Sequence, residues 1–180
     1  MEFLINHVGK YFELTRKGDS QLLMTGDWWM RWGKYKAEVY DKNGELIYSI
    51  RKKVNIWRLS LTLTITNEKD EKFVMKNMNK RHTIHQLTYD EDIYQVKLHK
   101  KRRQSVFKNG IQIAAVNESF MNTFNTEKIQ VLTSEEDCIE IIFLMILCLK
   151  IGENNQGTLT FDFGSIGKME PIDESWKPSS

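Results

Sequence analysis

Thr133-Ser134-Glu135-Glu136-Asp137-Cys138-Ile139-Glu140-Ile141-Ile142-Phe143-Leu144-Met145-Ile146-Leu147-Cys148-Leu149-Lys150-Ile151 is the stretch on which the fold turns. Wound as a helix, Ile139 and the run from Ile141 to Leu149 put apolar side chains on every face, and such a helix must be enclosed by protein or lipid. Its uninterrupted apolar core, Ile141–Leu149, is nine residues, whereas a bilayer span needs about 20. Protein must therefore enclose it. The ends carry helix signals. Thr133 and Glu136 stand at capping-box spacing, and Glu135-Glu136-Asp137 complements a helix N-terminus. Lys150 and Gly152 suit a C-terminus. The pattern predicts a helix over Ser134–Ile151.

Outward from that helix the chain reads with period two, the strand signal. Leu59, Leu61, Leu63 and Ile65 alternate with Ser60 and threonines. Tyr35, Ala37 and Val39 alternate with Lys34, Lys36 and Glu38; Tyr94, Val96 and Leu98 alternate with Gln95, Lys97 and His99. Leu159, Phe161 and Phe163 repeat the pattern near the end. Each such strand has one wet and one buried face. Asp41-Lys42-Asn43-Gly44 and Asn109-Gly110 supply hairpin turns, and Asn67–Asp70, Tyr89–Asp92 and Asn154–Gly157 are further turn candidates. A meander of hairpins with one all-apolar helix predicts a mainly β protein, a closed antiparallel β-barrel surrounding a central hydrophobic helix.

The 180 residues are 41% apolar and 28% charged, enough to bury about 70% of the chain's surface around one core. Residues 1–165 are expected to form a single barrel domain and 166–180 a polar C-terminal tail. With 26 basic and 24 acidic residues the net charge is +2, which excludes a globally basic nucleic-acid binder but not a local basic patch. Cys138 and Cys148 would lie about 15 Å apart along a helix, beyond the roughly 7 Å Cα separation of a disulfide. Reduced thiols and a first segment without a basic, then apolar, leader predict a cytoplasmic protein, with peripheral membrane association compatible with it.

Two segments resemble a known family. Tyr35-Lys36-Ala37-Glu38-Val39-Tyr40-Asp41-Lys42-Asn43-Gly44-Glu45-Leu46-Ile47-Tyr48-Ser49-Ile50-Arg51-Lys52-Lys53 is similar to hairpins of the tubby C-terminal-like superfamily. Asp137-Cys138-Ile139-Glu140-Ile141-Ile142-Phe143-Leu144-Met145-Ile146 is similar to that group's buried helix. The nearer likeness is to LURP-one-related and small bacterial tubby-like proteins; phospholipid scramblases are more distant. The resemblance covers roughly residues 3–151. It implies about twelve strands around the helix, and a non-enzymatic binding or scaffold module of the kind that engages phosphoinositides and other anionic lipids.

Three groups of residues are candidates for that role. Lys97–Lys108 carries six Lys and Arg side chains and no acid, with Lys100, Lys101, Arg102 and Arg103 at its centre. Arg51, Lys52 and Lys53, with Arg58, form a second cluster, and Lys76, Lys80 and Arg81 a third. Converging at one rim, such clusters would attract an anionic phospholipid headgroup or an acidic protein partner, at about 1 kcal/mol per basic residue near an anionic membrane. Trp28, Trp29 and Trp32 can anchor a partner or membrane interface, line a small-molecule or enzymatic pocket at the barrel mouth, or plug a barrel end. His82 and His85 would point to opposite faces of a strand, and no ligand set completes a metal site there. No catalytic motif is present, and apolar surroundings would quench both thiols. No cofactor or metal is expected, nor an enzymatic activity. Nucleic acid is disfavoured because no aromatic-interleaved strand accompanies the basic loop.

Overall fold

The structure is a computed structural model that describes residues 1–19, 21–55, 60–118, 126–152 and 169–178. Arg58, the Asn154–Gly157 turn and the alternating run Thr158–Phe163 lie outside the described residues. Twelve strands follow one another: β1 (Glu2–Val8), β2 (Tyr11–Arg16), β3 (Leu22–Arg31), β4 (Lys34–Asp41), β5 (Leu46–Asn55) and β6 (Ser60–Asn67), then β7 (Lys72–Asn77), β8 (Ile84–Tyr89), β9 (Asp92–His99), β10 (Arg103–Lys108), β11 (Ile111–Glu118) and β12 (Thr126–Thr133). Every strand pairs antiparallel with its neighbours in sequence, and β1 closes the ring on β12 with Phe3 opposite Val131.

The alternation read in the sequence sets which side chains face inward. Phe3 and Ile5 on β1, Ala37 and Val39 on β4, Leu63 and Ile65 on β6, and Ile129 and Val131 on β12 are all buried. The register keeps them level around the ring, as where Ala37 faces Ile50 and Ile50 faces Ile65. Register shifts at Leu14/Thr15, Val39/Tyr40 and Val106/Phe107 bend individual strands, which helps a sheet to close.

A twelve-strand ring is wider than the eight-strand barrels that side chains alone can fill. The helix α1 (Ile139–Lys150) occupies the bore. Residues on opposite sides of the ring touch it. Glu140 meets Tyr48 of β5, Cys138 just before the helix meets Tyr94 of β9, and Lys150 meets Glu118 of β11 and Glu127 of β12. Gly26 of β3 makes the closest approach: a Cβ built there would lie 3.1 Å from a Leu147 methyl. Twelve helical residues rise about 18 Å, close to the height of a wall of tilted strands of this length. Ile142 through Cys148 are at most 1% exposed.

The start of the helix differs from the capping-box expectation. Thr133 ends β12, paired with Ala114, and its hydroxyl donates to the Ile113 carbonyl and accepts from the Glu135 amide. Being in phase with Ile129 and Val131, it belongs to the strand before it can serve the helix. A 3-10 turn at Glu136–Cys138 makes the corner, with no side-chain cap, and α1 begins at Ile139 rather than Ser134.

Candidate anion-binding rim

An up-and-down barrel sends alternate connections to opposite ends, so the composition of alternate loops decides the charge of each end. At the end where α1 finishes, the described connections contain Lys10; Lys80 and Arg81; and Lys100 to Arg102, with Arg31, Lys34 and Arg103 at the adjoining strand ends. None of them contains Asp or Glu. Residues 56–59 and 119–125, outside the described residues, have none in their sequence either. At the opposite end Asp41 and Glu45; Glu68, Asp70 and Glu71; Asp90, Glu91 and Asp92; and Glu135, Glu136 and Asp137 outnumber Lys17, Lys42 and Lys69 in the same connections. A nearly neutral chain is thus strongly polarised along the barrel axis.

The β9–β10 turn is the densest part of the basic rim. Lys101 and Arg102 both adopt left-handed backbone conformations, with φ of +61° and +57°, which side-chain-bearing residues accept reluctantly. The turn holds Lys100 and Lys101 exposed and directs Arg102 inward. Arg102 Nη2 lies 2.7 Å from Glu127 Oε1, and its Nε 3.4 Å from Glu118 Oε2. Lys150, 3% exposed in the last turn of α1, reaches the same carboxylates at 2.8 Å to Glu118 and 3.3 Å to Glu127. Gln104 donates to Glu118 at 2.5 Å, and His7 Nδ1 lies 3.0 Å from Glu127. Burial alone would raise the Glu127 pKa, but the His7 hydrogen bond and the Lys150 and Arg102 charges bring it down to about 2. The cluster fastens the helix end and the basic turn to β1, β11 and β12.

Its carboxylates were visible in the sequence by phase. Glu127 alternates in step with Ile129 and Val131, Glu118 with Val116, and His7 with Phe3 and Ile5, so all three were bound to point inward. Reading Lys150 as a helix-end signal placed it correctly but did not reveal its partners.

The second cluster divides by strand parity. Arg51 and Lys53 face outward and are exposed, whereas Lys52 is in phase with buried Tyr48 and Ile50. Lys52 Nζ donates to the Ile151 carbonyl and lies 5.5 Å from the centre of the Tyr35 ring. It caps the end of α1. Three strands, β6 to β8, separate β5 from β9, so Arg51 and Lys53 share an end of the barrel with Lys100 and Lys101 but occupy a different sector. Lys76, Lys80 and Arg81, all exposed, stand between them.

Residues 169–178 lie against this same end and the wall below it. The Glu170 amide donates to Leu98, Thr83 donates to the Glu170 carboxylate at 2.8 Å, and His99 lies 3.0 Å from its carbonyl. Glu174 takes Arg103 in a two-point pair, 2.8 and 2.7 Å, which raises the Arg103 pKa and lowers that of Glu174. Trp176 Nε1 donates to the Gln112 carbonyl. No sequence signal linked this segment to His99 or Arg103.

The tryptophans separate. Trp28 is 4% exposed beneath the rim, 6.0 Å from Tyr35; Trp29 is half-buried on the outer face; Trp32 is 89% exposed at the β3–β4 tip. Two open concavities, about 420 and 440 Å³, lie respectively on the outer wall at β7–β8 and at the acidic mouth of the barrel, where Glu68 and Asp90 stand beside Tyr48, Tyr89 and Glu140. Neither is lined by these tryptophans. His82 sits in the β7–β8 connection and His85 is buried on β8, its pKa pushed down to about 4 by burial. Burial raises the pKa of both cysteines, Cys148 most strongly.

The family model of the Tubby C-terminal like domain matches residues 6–151, nearly the whole of the barrel and helix. The chain belongs to that family. No curated protein and no solved structure matches it. The matched span of this tubby-like domain starts within β1 and ends at Ile151, so it contains the basic rim but not the docked segment bearing Glu170 and Glu174. No helix among the described residues is long and apolar enough to cross a membrane. Among those residues no group of three or more His, Cys, Asp or Glu side chains is arranged to hold a metal ion.

Proposed function

We propose that this tubby-like domain is a non-enzymatic binding module that docks peripherally on anionic phospholipid headgroups through its basic rim. The observation that carries the reading is the separation of charge: in a chain of net charge +2, the connections at one end carry Lys and Arg and no carboxylate, whereas at the other end acids outnumber the lysines among them. Lys100, Lys101, Arg51 and Lys53 are exposed and make direct headgroup contact. Arg102 and Lys52 hold the rim in shape through Glu127 and the end of α1. Arg103 contributes once Glu174 releases it. The headgroup supplies phosphate oxygens, which accept hydrogen bonds from ammonium and guanidinium groups.

Co-sedimentation with vesicles tests this. The protein pellets with phosphatidylserine- or phosphoinositide-containing vesicles and not with phosphatidylcholine alone. Binding weakens as salt shortens the Debye length from about 10 Å at 0.1 M to about 3 Å at 1 M. Removing Lys100 and Lys101 together, at about 1 kcal/mol each, lowers the affinity about thirtyfold. Equal binding to both vesicle types, or none, overturns the proposal.

A further inference from the structure

The β3–β4 hairpin ends at the basic rim with a tip that suits neither folding nor solubility. Arg31 pairs with Lys34, leaving Trp32 and Gly33 as a two-residue turn with φ of +53° and +69°. Turns with both central residues left-handed favour Asn-Gly or Asp-Gly, and a bulky side chain there is strained. Trp32 occupies that position 89% exposed to water. Two local preferences are violated at one residue, and such conflicts concentrate at functional sites.

The neighbours of Trp32 give the conflict a direction. Trp28 and Met30 share one face of β3, and Trp32 follows them in the turn. Trp28 is buried at the edge of the core beside Tyr35, whereas Met30 is 55% exposed, so the apolar stripe continues out of the barrel to the tip. Lys10 lies 5.2 Å from the centre of the Trp28 ring, and Arg31, Lys34 and Lys36 are exposed along the hairpin. The nearest carboxylates on it, Asp27 and Glu38, face each other further down the wall. Exposed Ile111, Ile93 and Leu46 lie at the other end, among acids. An apolar tip ringed by cations is complementary to an anionic bilayer surface, where tryptophan favours the boundary between headgroups and acyl chains.

We infer that the β3–β4 tip is an interfacial anchor, with Trp32 and Met30 entering an anionic bilayer while Arg31 and Lys34 meet its phosphates. This rests on the lipid-binding function proposed above and adds to it a point of insertion and an orientation, the basic end of the barrel facing the membrane.

Trp32→Asn separates this role from a structural one, because Asn-Gly suits the turn. The variant keeps or raises the midpoint of urea unfolding, yet binds phosphatidylserine-containing vesicles about tenfold more weakly, the effect of about 1.4 kcal/mol. Its salt dependence is unchanged, since no charge is lost. In a second measurement, a Trp32→Cys variant labelled with an environment-sensitive fluorophore shifts to the blue on those vesicles and is quenched by brominated acyl chains. The same label at Ile111→Cys does neither. Undiminished binding by Trp32→Asn, or a label at position 32 that stays in water while the protein is bound, overturns the anchor and leaves headgroup binding standing. Failure of the unmodified protein to bind such vesicles overturns both.

Discussion

Leu147 and Gly26 provide a sensitive test of the helix in its bore. Leu147 is fully buried, and the two methyls at its end lie 3.1 and 3.3 Å from where a Cβ on Gly26 would stand, with the Glu38 carbonyl at 3.5 Å. Leu147→Ala removes three carbons, about 2.4 kcal/mol at 0.8 per methylene, and incomplete collapse around the gap raises the loss toward about 5 kcal/mol. Gly26→Ala alone overpacks the same contact, costing about 1–3 kcal/mol, less about 0.5–1 kcal/mol regained from a stiffer unfolded chain. Together the changes compensate, because the new methyl occupies space that the leucine vacates. The double variant is therefore more stable than the sum of the single losses requires, by about 1–3 kcal/mol. Urea unfolding of the four proteins followed by circular dichroism gives this coupling directly. Additivity within about 0.5 kcal/mol would mean that Leu147 does not face β3, and the packing described here would be wrong.

The other expectations concern charge. Lys150→Met takes one buried cation from Glu118 and Glu127 and leaves Arg102 beside them, and loses about 3–5 kcal/mol in the same unfolding assay. His85 has its pKa lowered to about 4 from 6.5 by burial. Its neutral form is the one that folds, so its contribution is complete above pH 6.5 and is lost as the pH falls through that range to about 4. Between about pH 6.5 and 5 the stability should decline, and His85→Gln should flatten that slope; an unchanged slope would exclude His85 as its source. Glu174→Gln releases Arg103 from its two-point pair and should raise affinity for anionic vesicles about fivefold, one cation's worth of about 1 kcal/mol.

Much of the barrel was legible because its strands carry a simple period. Ala37, Val39, Leu63 and Ile65 alternate cleanly, and Asn109-Gly110 turns with φ of +51° and +84°, as a tight hairpin requires. The helix was legible because apolar residues on every face admit few environments. Its first turn was misjudged where one residue satisfied two patterns: Thr133 has cap spacing and strand phase, and the strand claims it. The rim was harder to see. Lys100–Arg103 stood out as a run, yet which cations stay exposed depends on carboxylates distant in sequence, Glu118 and Glu127 for Arg102 and Glu174 for Arg103. Net charge also hid the polarity of the molecule, which emerges only when successive hairpin connections are assigned to alternate ends. The partners of His99, Ser105 across the turn and Glu170 seventy-one positions away, meet it only in the folded chain.

Two variants with the same net charge test the central claim most directly. Lys100→Glu/Lys101→Glu reverses two cations on the basic rim, and Lys42→Glu/Lys69→Glu reverses two exposed cations among the acids at the other end. If the polarised barrel docks by its basic end, the first variant loses binding to phosphatidylserine-containing vesicles while the second binds as the unmodified protein does. Equal loss in both would show that net charge alone governs attraction, and would contradict a binding surface at that rim.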